Sequence, residues 1–301
     1  MALSSLRVGA STAPLTKAID ARWLMAYAAG IGDAAPCYFD TRLPAGIVGH
    51  PLFPVCLEWD AVLAAQAISG HALGGDELVR GVHATHDMQI HRLVRAGDVL
   101  TTTATVEGVE RRRPGAYETL RLETVDATGA SVSTTRMGML FLGVDVEGPD
   151  RPVPDPSAAA ASFRDASPLR STIRKVEAGA AHVYTECARI WNPIHTDAAV
   201  AEAASLPGIL LHGTQSLAFA VSEIVSAFAS GDPNQVRRVR CRFGAMVLVP
   251  SSLTIHVLAL HDAALVDGVR EVFFEVRTAA GEAAIKNGSV VIDGRQDLRR
   301  R

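Results

Sequence analysis

The chain has 301 residues, which is long for one domain and ample for two. Hydrophobic residues make up 48% and charged residues 20%, so the sequence predicts a folded protein with a large core. The formal net charge of −3 argues against nucleic acid or a membrane surface as a partner, and no apolar stretch reaches the roughly 18 residues of a transmembrane helix. The amino-terminal sequence MALSSLRVGAST does not resemble a signal peptide, so we expect a cytoplasmic protein.

Four cysteines are spread along the chain with no CxxC pair and no spacing typical of metal ligands. We therefore interpret them as reduced thiols and expect neither a metal nor a cofactor. The four residues are Cys37, Cys56, Cys187 and Cys241.

The first part of the chain predicts helices followed by strands. Residues 1–20 are expected to form an irregular arm, and the Asp20 carboxylate to cap a helix over residues 21–29. A helix over about residues 55–69 is apolar nearly all round, apart from two acidic residues, which predicts that it is buried. Partial alternation then predicts an antiparallel meander over residues 83–91, 99–109, 117–125 and 131–142.

Three histidines, His83, His86 and His91, fall within the first strand of this meander. Their offsets are both odd and even, so we predict that they do not share one face of the sheet. This spacing argues against a metal site.

A proline-rich stretch divides the chain. Residues 148–156 contain four prolines, which a regular strand or helix interior excludes, so we predict a linker over residues 148–161. The linker separates an amino-terminal unit, residues 1–147, from a carboxy-terminal unit, residues 162–301.

The second half follows the plan of the first. A helix is predicted over about residues 196–204, with Asp197 as its capping residue, and a largely apolar helix over about residues 214–229. The tail, residues 297–301, is expected to fray. Strands are predicted over residues 236–249, 253–260, 271–278 and 283–292.

The two halves also share an internal repeat. Tyr27 precedes Tyr38 by eleven residues, and Tyr184 precedes His195 by the same interval. A single helix-and-meander unit would expose one side of its sheet, whereas two units side by side can form one continuous sheet. A histidine precedes the apolar helix of each half, His50 in the first and His212 in the second.

The segment Asn192-Pro193-Ile194-His195, followed by His212-Gly213 ahead of the buried helix, resembles the MaoC-like or type 2 (R)-specific enoyl-CoA hydratases. The resemblance covers nearly the whole chain and implies an α+β protein of two fused hot-dog units. Each unit is expected to be an antiparallel sheet wrapped round a central helix, and the two lie side by side as a pseudo-dimer. Residues 46–54 and Gly97-Asp98 resemble the non-catalytic unit of this form, which implies a degenerate site that serves as a wall of the acyl pocket.

The resemblance also implies the substrate and the chemistry. In that family an Asp and a His activate a water that adds to C3 of a trans-2-enoyl thioester, carried by coenzyme A or an acyl carrier. It implies that His195 is the general acid/base, that Asn192 shapes its loop, and that the Gly213 N–H polarises the thioester carbonyl. We assign His212 and Trp191 to substrate binding as well. The assembly stays open: the fused pair of units stands alone as one chain, or two such chains form a homodimer.

One position departs from the family pattern. Five residues before His195, where the family has its catalytic Asp, this chain has Ile190. Glu186 is the candidate for a replacement carboxylate, and a bound water network is the alternative. Asp33 stands five residues before Tyr38 in the first half, and we interpret it as a vestige or a loop hydrogen-bonder.

Three functions therefore stay open. The first is a hydro-lyase, an acyl-thioester hydratase or dehydratase with an atypical site. The second is a MaoC-like enzyme of specialised metabolism that dehydrates, isomerises or cyclises a pathway intermediate, and the third is a non-catalytic acyl-binding homologue.

Arg111 to Arg113 are interpreted as a solvated turn, with a contact to the coenzyme A phosphates as the alternative.

Overall fold

The computed structural model describes residues 2–68, 73–78, 80–154, 163, 167–263 and 268–294. The strands are β1 (Ala2–Ser4), β2 (Leu15–Ala18), β3 (Gly81–Ile90), β4 (Val99–Arg112), β5 (Gly115–Asp126), β6 (Ser131–Leu142), β7 (Asp145–Glu147), β8 (Arg170–Val176), β9 (Val236–Phe243), β10 (Ser251–Ala263), β11 (Val269–Thr278) and β12 (Ala283–Asp293). The α-helices are α1 (Ala21–Gly30), α2 (Pro36–Phe39), α3 (Val55–Gln66), α4 (Gly75–Leu78), α5 (Ala180–Ala188), α6 (Ala198–Ala203) and α7 (Gly213–Phe228).

Ten strands form one antiparallel sheet in the order β2-β4-β5-β6-β3-β9-β12-β11-β10-β8. The first half of the chain supplies the first five strands of this order, and the second half supplies the other five. Strands β3 and β9 pair at the seam, where Met88 lies opposite Val239. The prediction of two fused hot-dog units side by side is confirmed, since each half-sheet carries its own apolar helix, α3 or α7.

The core joins the two halves. Helices α1 and α5, one from each half, pack against each other, and their apolar faces share one buried cluster with α7. A Cβ atom on Gly30 would lie 2.8 Å from the Cβ of Cys187, so this close approach of the two helices requires glycine. The contact between α1, which carries Tyr27, and α5, which carries Tyr184, therefore fixes the two candidate sites relative to each other.

Two predicted helix caps are present. The Asp20 carboxylate accepts a hydrogen bond from the Trp23 N–H at 2.7 Å at the start of α1. The Asp197 carboxylate accepts from the N–H groups of Ala199 and Val200 at the start of α6. Helix α6 is shorter than predicted, because Asp197 caps it and the helix ends at Ala203.

The prediction of an irregular arm over residues 1–20 is wrong in two places. Strand β2 adds to the edge of the sheet beside β4, and β1 pairs in parallel with β7. Short edge strands of this kind carry too few residues for alternation to be recognised. Between them, the Arg7 side chain reaches into the first half and pairs with Glu118 at 3.3 Å.

The proline-rich stretch begins along the sheet rather than free of it. Arg151 forms a bridge with Val109 of β4, and the Asp150 carboxylate accepts from the Arg111 guanidinium at 2.7 Å. Residues 155–162 lie outside the described part of the chain. The division at residues 148–161 stays a prediction.

The interpretation of Arg111 to Arg113 as a turn is wrong for the first two residues, which belong to β4. Arg111 contacts Asp150, and the Arg112 guanidinium lies 3.4 Å from the ring centroid of Tyr117. A contact from this segment to phosphates stays a prediction.

The predicted separation of the strand histidines is wrong for one pair. A β-bulge between His83 and Thr85 shifts the register of β3 against β6, and the ring centroids of His83 and His86 lie 5.4 Å apart. Within the described residues, no cluster of three or more His, Cys, Asp or Glu is suited to hold a metal ion. The four cysteines are free.

No helix among the described residues is both long enough and apolar enough to span a membrane. The predicted frayed tail, residues 297–301, lies outside the described part of the chain.

Candidate active site

The backbone that carries His195 is fixed from both sides. His195 ends a short 3-10 helix, Pro193–His195, which Asn192 caps at its amino terminus. The Asn192 side-chain oxygen accepts from the Ile194 N–H at 3.4 Å. Asp197 caps the next helix two residues later, so His195 lies between two capped turns.

One hydrogen bond sets the tautomer of His195. Its Nδ1 lies 2.8 Å from the carbonyl oxygen of Leu210. A carbonyl oxygen can only accept, so Nδ1 carries the proton and donates it. In the neutral ring the lone pair is then on Nε2, which is the nitrogen able to act as a base.

His212 lies directly against this imidazole. The two rings stack with centroids 3.7 Å apart and an interplanar angle of 27°. The Nε2 of His212 lies 2.8 Å from the Thr185 hydroxyl oxygen, and only 3% of the residue is exposed. Both rings are therefore held by neighbours on other elements.

Burial keeps both histidines neutral. It lowers the pKa of His195 to about 4, although the bond to the Leu210 carbonyl acts in the opposite direction. Burial, together with the neighbouring His195, lowers the pKa of His212 well below its usual range. A neutral His195 near pH 7 has its Nε2 lone pair available for proton abstraction.

Gly213 places a helix amino terminus beside the histidine pair. It is the first residue of α7, and the first N–H groups of a helix have no partner within the helix and favour negative charge. A Cβ atom at this position would lie 3.0 Å from the Phe243 ring, so a larger residue here would need the ring to move by a few tenths of an ångström. The arrangement suits a developing oxyanion.

A pocket opens next to the histidine pair. Trp191 is 56% exposed, and its indole N–H donates to the Glu186 carboxylate at 3.4 Å. Thr185 joins the two features, because it also contacts His212. The pocket is lined by His182, Thr185, Glu186, Trp191, Pro193 and Thr196.

Ile190 belongs to the core, with 6% of its surface exposed. Arg189 ends α5 in the left-handed conformation, at φ 58°, and its guanidinium lies 4.1 Å from the ring centroid of Trp23. Within the described part of the chain, the side-chain hydrogen bond of His195 goes to Leu210 and not to a carboxylate. The predicted catalytic role of Glu186 stays a prediction.

The first half contains the counterpart of this site in a sealed form. Tyr38 stands where the repeat has His195, and its ring centroid lies 5.7 Å from that of His50. Tyr38 is 1% exposed, whereas His195 is only partly buried. The Nε2–H of His50 donates to the Ser222 hydroxyl at 3.2 Å, because Nδ1 accepts from a backbone N–H.

Two tyrosines join the two sites across the pseudo-twofold axis. The rings of Tyr27 and Tyr184 lie 5.8 Å apart, and the Tyr184 hydroxyl donates to Thr214 at 3.0 Å. In the sequence repeat, these two tyrosines occupy equivalent positions. Asp33, the acidic residue retained in the first half, accepts from the Ala35 N–H in its loop.

Comparisons with known proteins identify the family of the chain. Residues 163–280 match the MaoC like domain, and residues 7–135 match the FAS1-like dehydratase domain region. A UPF0336 protein of Streptomyces coelicolor is 33% identical over 141 residues, which are 44% of this chain and 91% of that protein. The chain belongs to the MaoC-like dehydratase family.

Two further proteins extend the comparison. The peroxisomal enoyl-CoA hydratase 2 of Arabidopsis thaliana is 38% identical over 53 residues, which are 18% of this chain and 17% of that protein. The crystal structure of a MaoC-like dehydratase from Phytophthora capsici has a TM-score of 0.80 at 20% identity and covers 96% of both chains. The structural likeness shows that the two proteins share a fold.

Three residues of this MaoC-like site were not found from the sequence. Thr185, His182 and Leu210 contact the site from α5 and from the loop before α7. No local pattern links Thr185 to His212, since 27 residues separate them. The only available signal was the position of Thr185 next to the repeated Tyr184.

Proposed function

We propose that the protein is an acyl-thioester hydratase or dehydratase, acting on enoyl thioesters of coenzyme A or an acyl carrier, with His195 as general acid/base. The observation that carries the proposal is the hydrogen bond from His195 Nδ1 to the Leu210 carbonyl, which leaves Nε2 as the base. Membership of the MaoC-like family and the enoyl-CoA hydratase 2 relative support the substrate class.

A single imidazole can both remove a proton from water and return a proton to the substrate during hydration. His195 Nε2 takes a proton from water while the water oxygen bonds to C3 of the enoyl group. The electron pair of the C2–C3 double bond forms a C1–C2 double bond while the carbonyl π pair moves to the thioester oxygen, and the Gly213 N–H stabilises this enolate oxygen. The C1–C2 pair then takes up a proton at C2 as the carbonyl bond re-forms. The imidazolium then returns its proton to C2, and its low pKa makes it a strong donor.

The neighbours of His195 take positioning and binding roles in this proposal. Asn192 and the Leu210 carbonyl orient the imidazole. His212 packs against its face, and Trp191 provides an exposed aromatic wall at the pocket. Glu186 lines the same pocket, and we retain it as the proposed second acid/base group, acting on the water rather than through a direct bond to His195.

Ile190 favours a second candidate function within the same family. Its apolar side chain occupies the position of the family's catalytic Asp, so this side of the site offers no carboxylate to hold water. A reaction that moves protons without adding water, such as an isomerisation, fits that environment. Dehydration of a pathway intermediate fits it as well.

The proposed function is tested by incubating the protein with crotonyl-CoA and longer trans-2-enoyl-CoAs. Hydration is followed by the loss of the conjugated thioester absorbance and by chromatography of the 3-hydroxyacyl product. We expect turnover by the wild type and a lower kcat for Glu186→Gln with an unchanged fold.

The outcomes separate the candidates. Isomerised products without 3-hydroxyacyl-CoA would favour the second function. Tight binding of every thioester without turnover, unchanged in His195→Ala, would contradict both enzymatic candidates and support a non-catalytic acyl-binding homologue.

A further inference from the structure

Within the described part of the chain, the ring of a buried histidine outside the proposed acid/base site lacks a hydrogen-bond partner. His86 is 1% exposed, and neither of its ring nitrogens is hydrogen-bonded within the described part of the chain. It lies on the inner face of β3, in line with Met88 and opposite Cys241, and both of these belong to the core. Buried polar atoms without partners are rare in folded proteins, and such a group calls for an explanation.

A second histidine adjoins it. The ring of His83 lies 5.4 Å from that of His86, centroid to centroid. His83 Nε2 lies 3.1 Å from the Thr85 carbonyl oxygen and must donate to it, which leaves Nδ1 as an acceptor. A polar group placed between the two rings can therefore accept a hydrogen bond from the free ring N–H of His86 and donate one to an unprotonated ring nitrogen of either histidine.

A row of rings connects this pair to the candidate active site. The His83 ring lies 4.6 Å from the Phe243 ring, centroid to centroid. Phe243 in turn packs against Gly213, within 3.0 Å of the position that a Cβ atom would take. The pair therefore lies along the seam between the two half-sheets, one aromatic ring away from the proposed oxyanion donor.

The inner face of the sheet in the first half contains a further buried polar group. Glu58 on α3 is fully buried; the Thr135 hydroxyl donates to its Oε1 at 2.5 Å, and its Oε2 has no described partner. Thr135 lies opposite Met88, two residues from His86 along β3. An unbranched hydrocarbon chain would leave these polar atoms unsatisfied, whereas a chain with a polar group would not.

We propose that His83 and His86 form a specificity subsite for an acyl chain that carries an uncharged hydrogen-bonding group, such as a hydroxyl or a keto group. The inference rests on the proposed function in one respect, the position of the thioester at Gly213. The substrate class is then a functionalised acyl thioester rather than a plain fatty one.

The charge state of the subsite fits an uncharged group. Burial lowers the pKa of His83 to about 3 and that of His86 to about 4, so both rings are neutral near pH 7. Neutral rings provide hydrogen bonds without a positive charge, so a carboxylate at the same place would be desolvated without an opposite charge.

The test uses saturated acyl-CoAs of rising chain length, each with and without a terminal hydroxyl, and measures Kd by titration calorimetry. At the chain length that brings the hydroxyl to the subsite, we expect the wild type to prefer the hydroxylated ligand by about tenfold. His86→Leu abolishes this preference. His91→Leu, the same change at an exposed residue directly after β3, retains it.

Saturated acyl-CoAs cannot be hydrated, so their Kd values test the subsite independently of the proposed hydratase activity. Equal Kd values within every pair for the wild type, or an unchanged preference in His86→Leu, would overturn the subsite while leaving hydration intact. Binding of no acyl-CoA, and of none of the same acyl groups on an acyl carrier protein, would overturn both proposals. Thermal unfolding checks the fold of His86→Leu, and His83→Leu serves as the second variant if the first does not fold.

Discussion

At the scale of the residue, the site rests on one imidazole whose tautomer is set by the backbone. The Leu210 carbonyl holds the proton on Nδ1 of His195, and the stacked His212 excludes water from one face. A catalytic His without a carboxylate partner is a weaker base, but it stays neutral over a wider pH range.

The pH dependence of kcat/KM should show this property. Because the pKa of His195 is lowered to about 4, we expect kcat/KM for an enoyl-CoA to stay level from pH 8 down through 6.5 and to fall only near the lowered pKa. Stopped-flow assays after a brief pH jump, with circular dichroism at each pH, provide the measurement. An inflection near pH 6.5 would show an imidazole with an ordinary pKa and contradict this account.

Part of the site could be predicted from local sequence. The Asn192-Pro193-Ile194-His195 segment identified the loop, because its proline and capping Asn determine the turn. The contacts of Thr185 and Leu210 could not be predicted, because they depend on how α5 and the loop before α7 pack. The bulge at His83 was missed for a similar reason, since a register shift needs the partner strand.

At the scale of the element, α3 carries an ionisable group in its apolar face. Burial raises the pKa of Glu58 to about 7, although the Thr135 hydroxyl acts in the opposite direction. A carboxyl with a raised folded-state pKa contributes stability that is complete below its unfolded pKa and is lost as the pH rises through the folded pKa.

Glu58→Gln should therefore stabilise the protein at high pH. Gln resembles the protonated carboxyl in shape, so we expect about the same unfolding free energy as wild type at pH 4 and on the order of 2 kcal/mol more at pH 8. Urea unfolding at the two pH values measures the difference. Glu147→Gln on exposed β7 is the control, and an equal gain in that variant would contradict the assignment.

The amino-terminal arm depends on a buried ion pair. The side chains of Arg7 and Glu118 are 0% and 2% exposed, and the Arg7 guanidinium also donates to the Ala65 carbonyl at the end of α3. Arg7→Met leaves Glu118 without its opposite charge, so we expect a loss of about 3–5 kcal/mol of unfolding free energy at pH 8.

A double variant and an exposed pair provide the controls. Arg7→Met combined with Glu118→Gln should recover most of the loss, because the uncompensated charge is gone. Arg42→Met, which breaks the exposed pair with Asp40, should change the unfolding free energy by less than about 1 kcal/mol. Additive losses in the double variant would show that the two side chains do not act as a pair.

The long elements were predictable and the short ones were not. Helices α3 and α7 and the strands of both meanders have enough residues for their apolar periodicity to be recognised. Strands β2 and β8, at the two edges of the sheet, are partly exposed and contain few apolar residues, so their sequences show no strand pattern.

At the scale of the whole molecule, the duplicated plan has produced two unlike sites. The repeat placed Tyr27 and Tyr184 at equivalent positions of the two halves, and the structure shows in addition that their rings lie side by side. The first-half site is closed by the buried Tyr38, while the second-half site keeps its histidine beside a pocket. The interior as a whole is rich in neutral titratable groups.

The buried histidines and carboxyls make the free energy of unfolding depend on pH. Histidines with lowered pKa values are neutral in the fold but take up protons when unfolded, so their stabilisation is lost as the pH falls from 6.5 toward 4. Glu58 and Glu118 act in the opposite direction, since burial raises the pKa of each to about 7. The histidines are His50, His83, His86, His195 and His212.

The histidines outnumber the two carboxyls, so we expect the protein to be less stable at pH 5 than at pH 6.5. The unfolded chain should bind roughly two to three more protons than the folded chain over this interval. The slope of the unfolding free energy against pH, from urea titrations, measures this number. A level or inverted slope would contradict the neutral state of the buried histidines.

The central claim is that His195 is the acid/base group of an acyl-thioester hydratase, and kcat/KM of His195→Gln with a trans-2-enoyl-CoA tests it most directly. His261→Gln, the same change at an exposed residue, is the control. We expect a loss of about 100- to 10,000-fold in His195→Gln, with the thermal unfolding temperature preserved and His261→Gln equal to wild type. Equal kcat/KM in His195→Gln and wild type would contradict it.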